Sequence, residues 1–400
     1  MNSLLQFVRS VWIEAQLTAS PAVPHVVISR LHGAKEILRF LSNPYLTVHQ
    51  MEGQGQGGFL RAAYIGLQYG QGCWQELLFA ERQVKHQVRR IPFWHFRELT
   101  NSSYDLVIIE LTKWLTQTLP RQNSIVLPAY VHHILDVRGD WQDVQNRFRK
   151  SVRKNELRVI RKYGYEYEIR HRDKDFEEFY DQMYLPTIRD RHGEWSSPMP
   201  RDIAHCYFRH GGLQCVRRDG RWVSGGICHP EQETWVADIL GVRNGDTQLT
   251  KEGAVAAVYY ATTHSANRQG YAFVNFRGTG PFMNLGQFQY KRKWGTTIIT
   301  PPFLHRQTWV WFRSDVPAVA RFWKQNPFIT LDEHGQLHGV IVVDDLHGLS
   351  AEIEREWNGL YVTPGLSDLR VCSVNDFVQN PASIYDSRVT LSVCSGPELG

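Results

Sequence analysis

The stretch YAFVNFRGTGPFMNLGQFQYKRKWG, Tyr271–Gly295, decides how this chain is read. It opens as a short apolar strand, Tyr271–Phe276, and runs into a loop rich in Gly, Pro and Asn. It then sets Tyr290, Lys291, Arg292, Lys293 and Trp294 side by side and closes on Gly295. A cationic, aromatic cluster placed after a strand and a loop suits an anionic or acyl-bearing ligand. A bare surface turn would not need that much aromatic mass.

Upstream of this stretch, Thr247–Asn267 has a helical pattern, and its small residues Gly253, Ala254, Ala256 and Ala257 allow close packing on a sheet. Gly212–Gly241 reads as a meander of three strands. Leu213–Arg217 pairs with Trp222–His229 across Arg218-Asp219-Gly220-Arg221, and Thr234–Leu240 follows. Further back, Trp141–Tyr163 reads as one helix, with Trp141, Val144, Phe148, Val152 and Val159 at helical spacing and Gly164 as its cap. Asn155 falls where that apolar stripe should continue. Tyr165–Arg170 is then a strand, and Asp175–Asp190 a second helix with Phe176, Phe179, Tyr180, Met183 and Tyr184 facing inward.

The flanks are less legible. His25–Ser29 reads as a strand, Ala34–Leu41 as a helix, and Asp105–Thr118 as a helix or a strand-helix pair. Glu52–Gly58 reads as a flexible loop; it lacks the Gly-Lys-Ser/Thr ending of a phosphate loop. Beyond residue 300, Trp309–Phe312 and Leu337–Val343 read as strands, Val316–Trp323 as a helix and Asp332–Gly335 as a turn. The tail from Pro381 is expected to be loose.

Composition bounds the class. The 400 residues suit two or three domains, and 13 Trp with 17 Tyr point to large grooves or interfaces. No apolar run reaches the roughly 20 residues that span a bilayer. Arg9 and Glu14 interrupt the apolar pattern of Met1–Ser20, so no cleaved leader is expected. The six cysteines form no Cys-x-x-Cys pair, which fits reduced thiols and a cytoplasmic protein. His205, Cys206, His210, Cys215, Cys228 and His229 have no metal-ligand spacing, so no metal site is expected. Charge is unevenly placed: Arg138–Lys162 holds nine basic residues against three acidic ones.

The element order is helix, strand, helix, three antiparallel strands, helix, strand, loop, strand. Together with two motifs it resembles the GNAT acyltransferase fold in the version of the FemAB/FemX peptidoglycan aminoacyltransferases. One motif is the basic helix Arg149-Lys150-Ser151-Val152-Arg153-Lys154-Asn155. The other is Phe288-Gln289-Tyr290-Lys291-Arg292-Lys293-Trp294-Gly295, similar to the family's aromatic-Lys-x-x-aromatic-Gly element. The resemblance covers about residues 140–300. It implies an α+β (mixed α/β) protein whose GNAT-like domain has a central, mostly antiparallel sheet flanked by helices. Residues 1–139 would be an N-terminal α/β domain, divergent but GNAT-like, so that two such domains stand in tandem. Residues 301–400 would be a C-terminal α/β extension.

The resemblance also implies acyl transfer to an amine. The donor would be acyl-CoA, an acyl carrier protein or aminoacyl-tRNA as co-substrate, with no tightly bound cofactor. The acceptor would be a small molecule, peptide or glycan carrying an amine. The stretch Gly241–Gln248 departs from the pyrophosphate turn of CoA users: Arg243 and Gly245 are present, but their spacing fails and Asp246 adds negative charge. The other class open to the chain is a non-catalytic binding module for a glycan or nucleic acid.

Lys291 matches the family's catalytic-loop Lys and is the first candidate for stabilising the oxyanion or leaving group; its other reading is a solvated turn residue. Tyr290 would donate a hydrogen bond or stack. Asp238, a carboxylate inside an apolar strand, would be the general base, or else pair with Lys251 or Arg277. Arg277 and Asn275 end the next strand and would hold substrate. Arg191 would line the acceptor side with His192, and Asn155 would hydrogen-bond across the site. Lys293 and Arg292 fit phosphate or a solvated face; Trp294 fits a structural role. Lys150, Arg153 and Lys154 would guide a phosphate-bearing donor, tRNA included, or form a solvated face; an anionic membrane surface is the third reading, against which the apolar face needed for the core argues. The helix start at Thr247 would offer free amides to an anion.

Overall fold

The computed structural model describes residues 43–66, 68–80, 84–101, 103–193, 198–301, 306–347, 349–385 and 389–391. The expectations for Met1–Ser20, His25–Ser29 and Ala34–Leu41 lie outside these. The strands in chain order are β1 (Tyr45–Gly55), β2 (Gly58–Ile65), β3 (Lys85–Pro92), β4 (Leu106–Thr112), β5 (Ser124–Pro128), β6 (Val131–Asp136), β7 (Glu166–Arg170) and β8 (Gly212–Arg218). They continue with β9 (Arg221–Glu231), β10 (Thr234–Val242), β11 (Phe273–Thr279), β12 (Thr297–Ile299), β13 (Arg306–Phe312), β14 (Phe328–Leu331), β15 (Leu337–Val343), β16 (Asp368–Ser373) and β17 (Val389–Leu391). The protein is a mixed α/β structure, and its two larger sheets carry mixed strand directions.

The chain packs as two compact units, where three consecutive domains were expected. Among the described residues, one holds His132–Arg277 and Tyr290–Thr296; the other holds those from 43 to Val131, Gly278–Gln289 and those from Thr297 on. The physical reason lies in β13. It pairs antiparallel with both β4 and β5, so the C-terminal region completes the sheet of the N-terminal one.

In the first unit the strands run in the order β6-β11-β10-β9-β8-β7. The β8–β9 hairpin turns through Asp219 and Gly220, both at positive φ (50° and 72°), as a tight two-residue turn requires. The helix Ala254–Arg268 lies among the buried groups Val255, Val258, Tyr259 and Ala261. Phe176, Phe179, Tyr180, Met183 and Tyr184 are buried as their spacing predicts. The helix that carries them has a π turn at Tyr180–Tyr184. Arg201–His210 forms a helix that the sequence reading missed.

Three expected elements differ. The basic helix is broken: Trp141–Arg147 ends, Phe148 turns to extended backbone (ψ 140°), and a π turn Val152–Glu156 leads into Leu157–Lys162. The Arg149 N–H at the break donates to the Lys293 carbonyl at 3.0 Å, which satisfies the group the break would orphan. Thr247–Asn267 divides into Thr247–Lys251 and Ala254–Arg268 at Gly253, whose φ is +94°; a Cβ there would stand 2.7 Å from Val159. The expected Gly/Pro/Asn loop before Tyr290 contains the start of a helix, Gly286–Lys293, whose last turn from Tyr290 belongs to the first unit.

In the second unit a six-stranded sheet runs β3-β1-β2-β4-β13-β5, beside a four-stranded sheet β14-β15-β16-β17. Glu52–Gly55, expected in a loop, is the end of β1, and Gly55 pairs with Gly58 across the hairpin. Asp105–Thr118 resolves into β4 and the short helix Lys113–Thr116. Pro381–Tyr385 is ordered into a turn with Ile384 fully buried, not loose. Both larger sheets share one plan. Antiparallel strands end on a parallel neighbour, β8-β9-β10 beside β11 and β3-β1-β2 beside β4.

Candidate active site

The parallel ladder between β10 and β11 is short. It pairs Thr234, Trp235 and Val236 with Phe273, Val274 and Asn275, and past that point the two strands no longer pair with each other. Asp238 lies two residues beyond on β10, at a bulge against β9 between Ala237 and Ile239. Arg277 lies two residues beyond on β11 with φ +60°, an unusual conformation for a side chain of its size. Bulges and strained residues of this kind concentrate where a fold aims side chains at a site.

The side chains at this fork form one chain of charge. Arg277 donates to Asp238 Oδ1 through Nε at 3.0 Å and a terminal nitrogen at 2.5 Å. His229, fully buried on β9, donates from Nδ1 to Asp238 Oδ2 at 2.5 Å and from Nε2 to Glu231 at 3.0 Å. An imidazole that donates from both nitrogens is a cation. Burial works against this, but the Asp238 charge raises the His229 pKa above its ordinary value. Burial likewise opposes Glu231, yet His229 and Arg277 pull its pKa down to about 2. The Tyr207 ring stacks on His229 with centroids 4.6 Å apart. Two cations and two anions thus neutralise each other.

Asp238 is therefore not placed as a general base. Its side chain is fully buried and both oxygens already accept hydrogen bonds from cations. The ion pair with Arg277, the alternative partner in the sequence reading, is what forms.

Asn275 joins this network to the opposite strand. Its carbonyl oxygen accepts the Arg277 N–H at 2.8 Å, so its amide nitrogen donates to His132 Nδ1 at 3.1 Å. His132 is neutral, its pKa pushed down to about 3 by burial and by the Arg277 and Lys291 charges. A neutral ring accepting at Nδ1 carries its proton on Nε2. Lys291 comes from the helix Gly286–Lys293, and its Nζ donates to the Arg277 carbonyl at 3.3 Å. Burial, then Arg277, lower its pKa to about 7. The structure thus brings Lys291, Arg277, Asn275 and Asp238 together at the strand fork.

The other cluster residues serve mainly to hold this corner. Trp294 is fully buried against Phe148 (5.2 Å) and Tyr259 (5.4 Å), and burying a ring of that size contributes roughly 3 kcal/mol. Tyr290 packs edge-on against Tyr259 at 5.1 Å, with the Lys293 ammonium 4.0 Å above its ring. Burial and Glu156 raise the Tyr290 pKa well above the ordinary tyrosine value. Lys293 pairs with Glu156 from the π turn, so its charge is already answered and the phosphate reading falls. Arg292 is 4% exposed, which excludes the solvated face. Arg191 is exposed at the end of Leu185–His192, and its charge reaches Tyr259 and Tyr290.

On the donor side, Lys150, Arg153, Lys154 and Asn155 are exposed, so Asn155 does not continue the apolar stripe or reach across the fork. Thr247 does not offer free amides. The Asp246 carboxylate caps its five-residue helix by accepting from Gln248 and Leu249. The longer helix begins with Ala254, Val255 and Ala256, all buried. Arg243 is spent on Trp222, Gln182 and Glu178. His132, His229, Glu231, Tyr207 and Glu156 were missed, because an isolated His or Glu in a strand or helix carries no spacing signal. Among the described residues, no group of three or more His, Cys, Asp or Glu could hold a metal ion, and no helix is long and apolar enough to cross a membrane.

No family model matches the chain, and no curated protein matches it. Among solved structures it is similar to FemX (11% identity, 63% of this chain and 81% of that one, TM-score 0.37). It is similar to L-PGS from Bacillus licheniformis (10%, 68% and 87%, TM-score 0.33). A GCN5-related N-acetyltransferase from Sphaerobacter thermophilus gives 10% identity, 62% and 71% coverage and a TM-score of 0.30. These TM-scores are low.

Proposed function

We propose that the chain is an acyltransferase that moves an acyl or aminoacyl group from an activated donor to an amine, with Lys291 as its acid–base residue. The observation that carries this is the Lys291 amine, held near a pKa of 7 beside the Arg277 carbonyl where β10 and β11 part. A base of that pKa works at neutral pH.

The acceptor nitrogen attacks the donor carbonyl carbon, the C–N bond forms and the carbonyl electrons move to oxygen. Neutral Lys291 takes the proton that the nitrogen loses. As the carbonyl re-forms, the bond to the leaving atom breaks and Lys291 returns the proton to it. The His132 Nε2–H and the Arg277 edge, with its side chain 29% exposed, supply positive potential for the developing oxyanion. Asp238, His229 and Glu231 hold Arg277 in place.

Aminoacyl-tRNA is the donor we favour over acyl-CoA. Asp246 and the buried helix start at Ala254 leave no anion seat at the place where a CoA pyrophosphate would need one. Lys150, Arg153 and Lys154 meanwhile offer exposed positive charge. The test is transfer of label from charged tRNA, and separately from acyl-CoA, to an amine by the purified chain. Turnover on either donor that falls at least 100-fold in Lys291→Ala supports the reading. Tight binding with no turnover on any donor would make the chain a binding module.

A further inference from the structure

The second unit contains a cavity of about 520 Å³ that the proposed reaction does not use. Its size is that of small-molecule sites. Val126 of β5 and Leu331 of β14 give it an apolar floor. Its polar lining comes from separate segments with opposite charge. Lys113 and Arg121 come from the connection between β4 and β5, and Asp332, Glu333 and His334 from the turn between β14 and β15.

Part of that polarity is already used. Arg370 binds both Asp368 oxygens at 3.0 Å and donates to the Ile384 carbonyl. Asp332 accepts the Gln336 N–H at 2.8 Å and faces His338 at 3.3 Å. The remainder is not used. Thr116, 1% exposed, holds one end of the Gln307 side-chain amide at 2.9 Å and the Lys113 carbonyl at 2.8 Å, which anchors that amide and leaves its other end to the cavity. Lys113 and Arg121 have no side-chain partner among the described residues, and Glu333 has only the exposed His334 at 3.5 Å. The cavity therefore presents two cations from the β4–β5 connection, the Gln307 amide from β13 and a carboxylate from the β14–β15 turn, over an apolar floor.

We propose that this cavity binds a small zwitterion of about dipeptide size. Its carboxylate would meet Lys113, Arg121 and the Gln307 amide, its ammonium would meet Glu333, and its apolar side chain would rest on Val126 and Leu331. A simple anion would leave Glu333 facing it at a cost, and a simple cation would face Lys113 and Arg121.

The test is isothermal titration of the full chain with alanyl-leucine, its N-acetyl form and its C-terminal amide. Saturable one-site binding is expected for the free dipeptide, with each blocked form at least tenfold weaker. Glu333→Gln should erase the preference over the N-acetyl form, and Arg121→Gln the preference over the amide. Both side chains are on the surface, so neither change threatens the fold. Lys291→Ala should leave the titration unchanged, which separates this site from the reaction site. Equal binding of free and blocked forms, no saturable binding, or loss of binding in Lys291→Ala overturns the proposal.

Discussion

Gly295 approaches the backbone of Arg147 so closely that a Cβ on the glycine would stand 2.1 Å from the arginine's carbonyl oxygen. Its φ of +81° is also one that side chains rarely adopt. This contact joins the basic segment to the Tyr290–Gly295 cluster, some 140 residues later in the chain. Gly295→Ala should destabilise the fold by more than about 1 kcal/mol, read as a lower urea midpoint at unchanged slope. An unchanged midpoint would mean the two motifs do not depend on this contact.

Asp238→Asn separates the two roles considered for that residue. It leaves Arg277 and His229 facing an uncharged amide, at a cost of about 3 kcal/mol, the low end for a broken buried pair because Arg277 is partly exposed. The prediction is a large loss of stability by urea denaturation, with the pH dependence of any remaining turnover unchanged. A full-stability variant whose pH profile has lost a limb would restore Asp238 as the base.

How much of this was legible in the sequence differs by scale. Strand and helix order across Tyr165–Phe276 follows local period, and apart from the helix Arg201–His210 it is legible because most of these elements bury one regular face. The breaks at Phe148 and Gly253 did not, because they answer to Lys293 and Val159, which are distant in sequence. Lys291 was legible through its motif. Its suppressed basicity was not, since that comes from burial and from Arg277 fourteen residues away. The joining of the C-terminal region to β4 and β5 was invisible, because β13 has no partner signal of its own.

Lys291 also makes stability depend on pH in a defined sense. The unfolded chain holds a proton on this amine up to about 10.5, while the folded chain loses it near 7. The unfolded state therefore binds more protons between these values, and this group's contribution makes stability rise with pH across that window. Lys291→Met should raise the melting temperature more at pH 6 than at pH 10. An equal gain at both would show that the amine is not suppressed.

The basic segment gives a separate expectation. If charged tRNA is the donor, its binding weakens with salt, and replacing Lys150, Arg153 and Lys154 with Gln lowers the logarithmic salt slope by about 2, at roughly 0.7 per phosphate contact. A slope that does not change would place the nucleic acid elsewhere.

The most direct test is the pH dependence of kcat/KM for amide formation. A free base on Lys291 predicts a rate that rises with pH to a midpoint of about 7, and loss of that limb together with most of the activity in Lys291→Arg, whose guanidinium stays charged. The same profile and rate in Lys291→Arg would contradict the account.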